Sequence, residues 1–338
     1  VPKVQVNMLG RRVASLVTTD SESFTYGGAG YVERYSTNPA ECLLDYLRNP
    51  RYGKGLTNTE IDWDSFRNTA GKLNTVVEYT PGTTGEICSI NGVLDTGQTL
   101  TNNVKIMLHG MRSYMPYVQG VYKLRVEDAG DPTDILSGVA VISAIATTDP
   151  TLTSNDLTNT YIDIQGDIQY SGIERSAKYT QVLVTYVDPQ QSFSNQQVAF
   201  PETEAERQAF ITADGGRENT LQVTMGTITN RFIALDFARL MFNKSRQQET
   251  CSITVSTRGM ELEPGDIIRI QGTILNFDTT PWRIVSLEYG DDYTTKLGCV
   301  RNPESIYPHT RLNEADVVSG VFRPDGAQII TPQVPSAA

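Results

Sequence analysis

Histidine is nearly absent. The 338 residues include two, His109 and His309. That excludes a His-rich metal centre, and a Ser-His-Asp triad would have to use one of them. His109 falls near the apolar face of a predicted helix, where a half-buried structural role suits it. His309 follows Tyr-Pro and reads as a solvated loop residue. Cysteine is scarce as well. Cys42, Cys88, Cys251 and Cys299 lie far apart. No pair has metal-ligand spacing and no disulfide framework is implied, so buried free thiols in a reduced compartment are expected. No apolar run approaches the ~18 residues of a membrane span, and no signal peptide is expected. Basic residues are in short supply, with 28 Lys and Arg against 39 Asp and Glu and a net charge of −11. Broad non-specific DNA binding needs clustered Lys and Arg and is therefore disfavoured. The run YGGAG (26–30) lacks the Gly-Lys-Ser/Thr of a phosphate loop, and no helix follows it closely. Asn243-Lys244-Ser245 matches a glycosylation sequon but falls in a predicted helix of a chain without a secretion signal, and is discounted.

Thr, Asn, Ser and Gln fill the space left by a hydrophobic content of 39%. This composition suggests many strands and loops. The length suits roughly two or three domains. The opening VPKVQVNMLGRRV alternates Val4, Val6 and Met8 like a strand and has no leading methionine. The expectation is a fragment or processed product that begins inside a larger polypeptide.

The stretch NPAECLLDYLRNPRYGKGL (38–56) predicts a sharply bracketed helix over about 39–48. Asn38 is a good N-cap, and Pro39 suits the first helical position. Leu43, Tyr46 and Leu47 share a face. Pro50 then pushes Asn49 out of helical geometry. Thr57 and Glu60 have capping-box spacing for a second helix with Trp63, Phe66, Ala70 and Leu73 in its stripe. A third helix is expected over about 101–112, followed by a hairpin turning at Gln119-Gly120. In ILSGVAVISAIA, helix and strand fit equally well. From Asn159 the pattern is β, through YIDIQGDIQY and YTQVLVTYVDP. PETEAERQAFITADGG reads as a polar loop with a helical turn. A long helix follows over about 229–247, with Phe232, Leu235, Leu240 and Met241 inward. CSITVSTRG, DIIRIQG and PWRIVSLEYG read as consecutive strands around a Pro-Gly-Asp turn (264–266). Residues 324–338 read as a linker.

Catalytic constellations are weak. Glycosidases need two carboxylates ~5–9.5 Å apart. Asp62 and Asp64 flank Trp63, but at a helix N-terminus acidic residues also favour the dipole. Asp291 and Asp292 look like a turn between strands. Tyr114, Tyr117 and Tyr122 cluster around one hairpin, where an assembly surface and a strand-rich core explain them equally well. No catalytic, cofactor-binding or metal-ligating residue is assigned. A structural or interaction protein is favoured over an enzyme; the alternative is a carbohydrate- or peptidoglycan-degrading enzyme using Asp62, Asp64 or Asp291.

The order of segments adds a resemblance. STNPAECLLDYLRNPRYGKGL (36–56), EIDWDSF (60–66), the unit from Ile87 to Asp128, QVLVTYVDP (181–189), TNRFIALDFARLMF (229–242), CSITVSTRGMELEPGD (251–266) and IIRI (267–270) together resemble the central tail-tip or hub protein of long, flexible-tailed bacteriophages, the tip attachment protein J family typified by phage lambda. The resemblance covers most of residues 1–320. The family's N-terminal hub domain is absent or precedes Val1, its fibronectin-like and receptor-binding regions are missing, and residues 129–158 diverge. The resemblance implies an α+β, β-rich multidomain protein with β-barrel-like hub domains and an α/β module. Residues 1–30 would complete an upstream hub domain, 31–128 form the α/β module, 129–323 a β-rich domain with one long helix, and 324–338 a linker. It implies a homotrimer at the virion tail tip that contacts the tail tube or distal tail protein, small tip proteins and the C-terminus of the tape measure protein, with receptor binding assigned to regions outside this chain. Asn38, Pro39, Pro50, Arg51, Tyr52 and Gly53 are the expected assembly contacts. No cofactor is expected.

Overall fold

The computed structural model of the chain describes residues 10–16, 32–80, 82–128, 139–143, 160–164, 168–271 and 281–307. The expected strand over residues 1–9 and the 324–338 linker lie outside these residues. The order begins with β1 (Arg12–Ala14), β2 (Glu33–Tyr35), α1 (Pro39–Arg48), α2 (Trp63–Leu73), β3 (Val76–Thr80), β4 (Thr83–Glu86) and α3 (Leu100–Gly110). Four short strands follow: β5 (Ser113–Tyr114), β6 (Tyr117–Val118), β7 (Val121–Tyr122) and β8 (Arg125–Val126). Next come β9 (Val139–Ser143), β10 (Thr160–Asp163), β11 (Gln169–Ser171), β12 (Gln181–Asp188), β13 (Ser194–Phe200) and α4 (Glu204–Ala213). The described part closes with β14 (Thr220–Met225), α5 (Arg231–Gln247), β15 (Thr250–Val255), β16 (Ile267–Gln271), β17 (Pro281–Tyr289) and β18 (Thr295–Arg301).

The local signals place most elements. Gln119 and Gly120, both left-handed, turn β6 into β7. β12 alternates buried and half-exposed residues as its period-two pattern requires. Three readings are corrected. The Thr57/Glu60 capping box closes a 3-10 turn over Asn58–Glu60, and α2 starts later, capped by Asp62. The polar run after Pro201 is a ten-residue helix, α4, capped by Thr203. It is held from outside: Arg246 of α5 pairs with Asp214 at 2.6 Å and stacks 4.5 Å over Phe210. On α5, Phe232 and Met241 are only partly buried, while Ile233, Ala234, Phe237, Ala238 and Phe242 join Leu235 and Leu240 inside. That helix is covered on several sides, so a single stripe underestimates its buried face.

Apolar packing does not divide at residue 128. One continuous core contains Leu43, Leu47, Phe66, Leu73, Met107 and Leu124, and runs on into Val182, Val184, Ile228, Leu235 and Phe237. Tyr79 stacks on Phe232 at 4.9 Å within it. Its sheet is small: β12 pairs antiparallel with β13 and parallel with β14, and α5 packs against it. A second core of Ile253, Ile268, Ile270, Trp282, Ile284 and Leu297 lies under a seven-stranded sheet ordered β10-β9-β16-β17-β18-β15-β11.

The mixed α+β class is as expected. Among the described residues no sheet closes fully into a barrel, and β10 and β11 stand at the two ends of the large sheet. The edges are nevertheless near each other. Seven flat strands would span on the order of 29 Å, whereas the short stretch 164–168 between β10 and β11 reaches ~20 Å. The sheet must curl, and Ile164 bridges to Val255 of β15 on the far side. Closure also needs matched tilt and stagger around every strand, which the inward–outward pattern of a sequence does not report.

The two cores meet across a charged seam. Lys123 pairs with Glu263 at 2.7 Å, and Arg125 with Glu263 at 2.9 Å and Asp266 at 2.6 Å. Beside them Glu127 is held between Lys244 of α5 and Arg283 of β17. Tyr114 donates to the carbonyl of Gly265 at 3.1 Å, and a Cβ at Gly265 would sit 2.3 Å from that hydroxyl. Burial alone would raise the Glu127 carboxyl, but Lys244 and Arg283 hold it below its ordinary value. Lys244 shifts downward: burial outweighs its attraction to Glu127, and Arg283 and Arg112 repel it. One carboxylate serves two cations.

Two outcomes are expected. Phe66→Ala, at a fully buried ring, should cost about 3–5 kcal/mol in urea denaturation. Glu127→Gln should cost about 1–3 kcal/mol at neutral pH, because two half-buried cations lose their shared partner. A depressed folded pKa gives stability that is present above the unfolded value and lost as pH falls through the folded one. The gap between wild type and Glu127→Gln should therefore shrink below about pH 4.5, the ordinary glutamate range. Equal stabilities at pH 7 would contradict this account.

Candidate functional site

The bracketed helix is built as its sequence requires. The Asn38 side chain caps the Ala40 amide at 3.0 Å, and its amide group donates to the Ala70 carbonyl at 2.9 Å and to Asn74 at 2.7 Å. One side chain therefore caps α1 and ties it to the end of α2. Asn38 and Pro39 are buried. They organise the chain from within and do not offer a surface to another molecule.

The loop after α1 is a compact turn. Asn49 accepts from the Arg51 amide at 2.9 Å, and the Gly53 amide donates to the Asn49 carbonyl at 3.0 Å. The Leu56 amide then returns to the Leu47 carbonyl at 3.0 Å. Gly53 passes so close to α1 that a Cβ there would lie 1.5 Å from the Tyr46 carbonyl oxygen. Tyr52 folds back over its own helix. It stacks on Tyr46 at 6.3 Å and donates to buried Asp45, while Arg11 lies 5.2 Å over its ring and 3.3 Å from Asp45. Pro50, Arg51, Lys54 and Gly55 stay exposed. Lys54 reaches the ring and hydroxyl of Tyr122, joining the loop to the β6–β7 hairpin. Of the six expected contacts, Pro50 and Arg51 are thus on the outside, Tyr52 and Gly53 are half-buried, and Asn38 and Pro39 are inside.

The same face of α1 anchors β1. Glu41 is fully buried and accepts from the Leu16 amide at 2.8 Å and from Arg34 at 3.0 Å. Nothing in the periodicity of α1 marks Glu41 and Asp45 as inward residues. The signal that exists is indirect: they are spaced i, i+4 beside the apolar stripe.

The carboxylates considered for hydrolysis are engaged elsewhere. Asp62 caps α2 through the Ser65 amide at 3.0 Å, and Asp64 is exposed beside Arg67 at 3.2 Å. Asp291 and Asp292 lie at the tip joining β17 to β18, where Asp292 accepts from Thr294 at 2.6 Å. Among the described residues no group of three or more His, Cys, Asp and Glu is placed to hold a metal, and no helix is long and apolar enough to cross a membrane. Cys251 and Cys299 face each other across β15 and β18, which their sequence separation conceals. Burial pushes the Cys42 and Cys88 thiols up to about 12, a state in which thiols are poor nucleophiles. A shallow hollow of about 390 Å³ on the large sheet is lined by Tyr170, Ser252, Val285, Ser286 and Val300, which offer hydroxyls and aliphatic surface.

Comparison with known proteins adds to this geometry. Residues 121–287 match a family model described as "Putative phage tail protein". The baseplate hub protein pb3 of Escherichia phage T5 is 22% identical over 284 residues, 79% of this chain and 26% of that protein. The chain thus spans about a quarter of the length of that relative. Among solved structures, a chain in the virion of a native gene transfer agent particle has 16% identity and a TM-score of 0.46, covering 65% of this chain and 43% of that one. The 43 kDa tail protein of prophage MuSo2 from Shewanella oneidensis has 11% identity and a TM-score of 0.37, covering 62% of this chain and 56% of that one. The sequence matches support a structural protein of the phage tail, with a virion tail location.

Gly53→Ala tests the loop. The added methyl must displace the Tyr46 carbonyl, so a loss of about 1–3 kcal/mol is expected, as for other overpacked sites. Thermal melts would show it; an unchanged midpoint would mean that the turn adapts.

Proposed function

We propose that this chain belongs to the central hub at the distal end of a phage tail, of the tip attachment protein J type. In this role it assembles as a homotrimer on the tail axis. It contacts the tail tube or distal tail protein, small tip proteins and the C-terminal end of the tape measure protein. It closes the tube, nucleates tail assembly and couples host attachment to DNA ejection. The observation that carries the reading is the match to a baseplate hub protein across 79% of the chain. The geometry is compatible with a mechanical role. The exposed pair Pro50-Arg51 rides on a turn already ordered by Asn49, Gly53 and Tyr52. Ordering a residue costs about 1–2 kcal/mol, and a preformed loop has met that cost before assembly. Arg is also a residue type enriched at interface centres.

Cryo-EM of the native particle carrying this chain is the direct test. Three copies around the tail axis, with residues 50–55 at a subunit or ring contact, are expected; a single off-axis copy would overturn the hub reading. Arg51→Ala isolates the loop, because Arg51 is exposed and Tyr52 is part of the internal packing. Particle yield should fall while the purified chain keeps its melting temperature. Normal yield would remove the loop from the assembly contacts.

A further inference from the structure

The charged seam has a directional layout. At the end of the large sheet that faces α5, one row crosses from Glu249 to Arg301, then Trp282, then Ile268; Asp266 lies two residues before Ile268, one step into the sheet, where its carbonyl accepts from the Ile284 amide. Covalent crossings between the two cores gather at the β15 side of this row. The chain passes directly from α5 into β15 through Gln248 and Glu249. It leaves β18 through Asn302 to a 3-10 turn, Glu304–Ile306, whose Ile306 and Tyr307 pack with Leu240 of α5. The strand β11, which leads back toward β12, is the neighbour of β15. Arg301 locks this side to Glu249, by its amide at 2.8 Å and its side chain at 3.1 Å.

The other end of the row has a different character. The strand that Asp266 leads into, β16, stands three strand spacings from β15, about 14 Å. There the contact is made by Lys123 and Arg125 on one side and Glu263 and Asp266 on the other. The apolar clusters do not merge across it.

We propose that the seam is an ionic latch: the seven-stranded sheet is hinged to the rest of the chain at Gln248–Glu249 and held shut by the pairing of Lys123 and Arg125 with Glu263 and Asp266. Opening also parts Glu127 from Arg283 and Tyr114 from Gly265, but it separates no continuous apolar core, and polar interfaces between modules of one chain commonly permit relative motion. The pairs are reciprocal in sign. At the latch, cations come from the β7–β8 segment and anions from the sheet, whereas at Glu127 the anion faces Arg283 of the sheet. A shifted closure would set like charges together, so the latch has one register. This inference stands apart from the hub assignment, since it concerns motion within one copy.

Charge reversal on the full chain tests it. Lys123→Glu with Arg125→Glu should raise the radius of gyration in small-angle X-ray scattering and split thermal unfolding into two transitions. Adding Glu263→Lys and Asp266→Lys to the same chain should restore the compact value and the single transition. Unchanged scattering in the first variant, or expansion that the compensating pair does not reverse, would overturn the latch. If the reversal variant loses its far-ultraviolet circular dichroism, Glu263→Gln with Asp266→Asn decides. A folded, expanded chain is expected, and a folded chain of wild-type size would overturn the proposal.

Discussion

Three parts of the molecule meet on the carboxylate of Glu127. It ends the β5–β8 segment, and it is shared by Lys244 of the long helix and Arg283 of the large sheet. The two apolar cores are separate clusters, each with its own strands. Their mutual orientation needs something directional, which burial of apolar surface does not provide. A buried ion pair is a weak source of net stability because desolvation offsets its attraction. Here it sets geometry. Arg112 and Asp236, 2.6 Å apart, extend the same logic one layer further, joining the end of α3 to α5.

The chain weaves between the two cores. The described residues up to 126 build one body with α5 and the β12–β13–β14 sheet, while β9–β11 and β15–β18 build the other. The family match over residues 121–287 straddles both bodies and contains the sheet-side and helix-side partners of the seam.

The bracketed helix was readable because its controls are local. The Asn38 cap, Pro39 at the first turn and the stop before Pro50 each act over a few residues, and α1 spans Pro39–Arg48 as they dictate. The β6–β7 turn and the alternation of β12 were legible for the same reason. Glu41 shows the limit. In the sequence it is an acid in a first helical turn, suited to the dipole and to solvent. In the fold a strand from far upstream covers it and the Leu16 amide supplies its partner.

Local pattern therefore determined where most helices and strands of this protein lie, though it missed α4 and the late start of α2. Tertiary structure alone decided that residues 14–126 share a core with α5, that the large sheet curls without closing, and that Cys251 stands opposite Cys299. It also decided that Lys123 and Arg125 answer to Glu263 and Asp266. The reason is range. Propensity, capping and periodicity are set by neighbours within about one turn or one strand, whereas charge pairing and sheet order join residues more than a hundred positions apart, where a sequence carries no local mark of its partner.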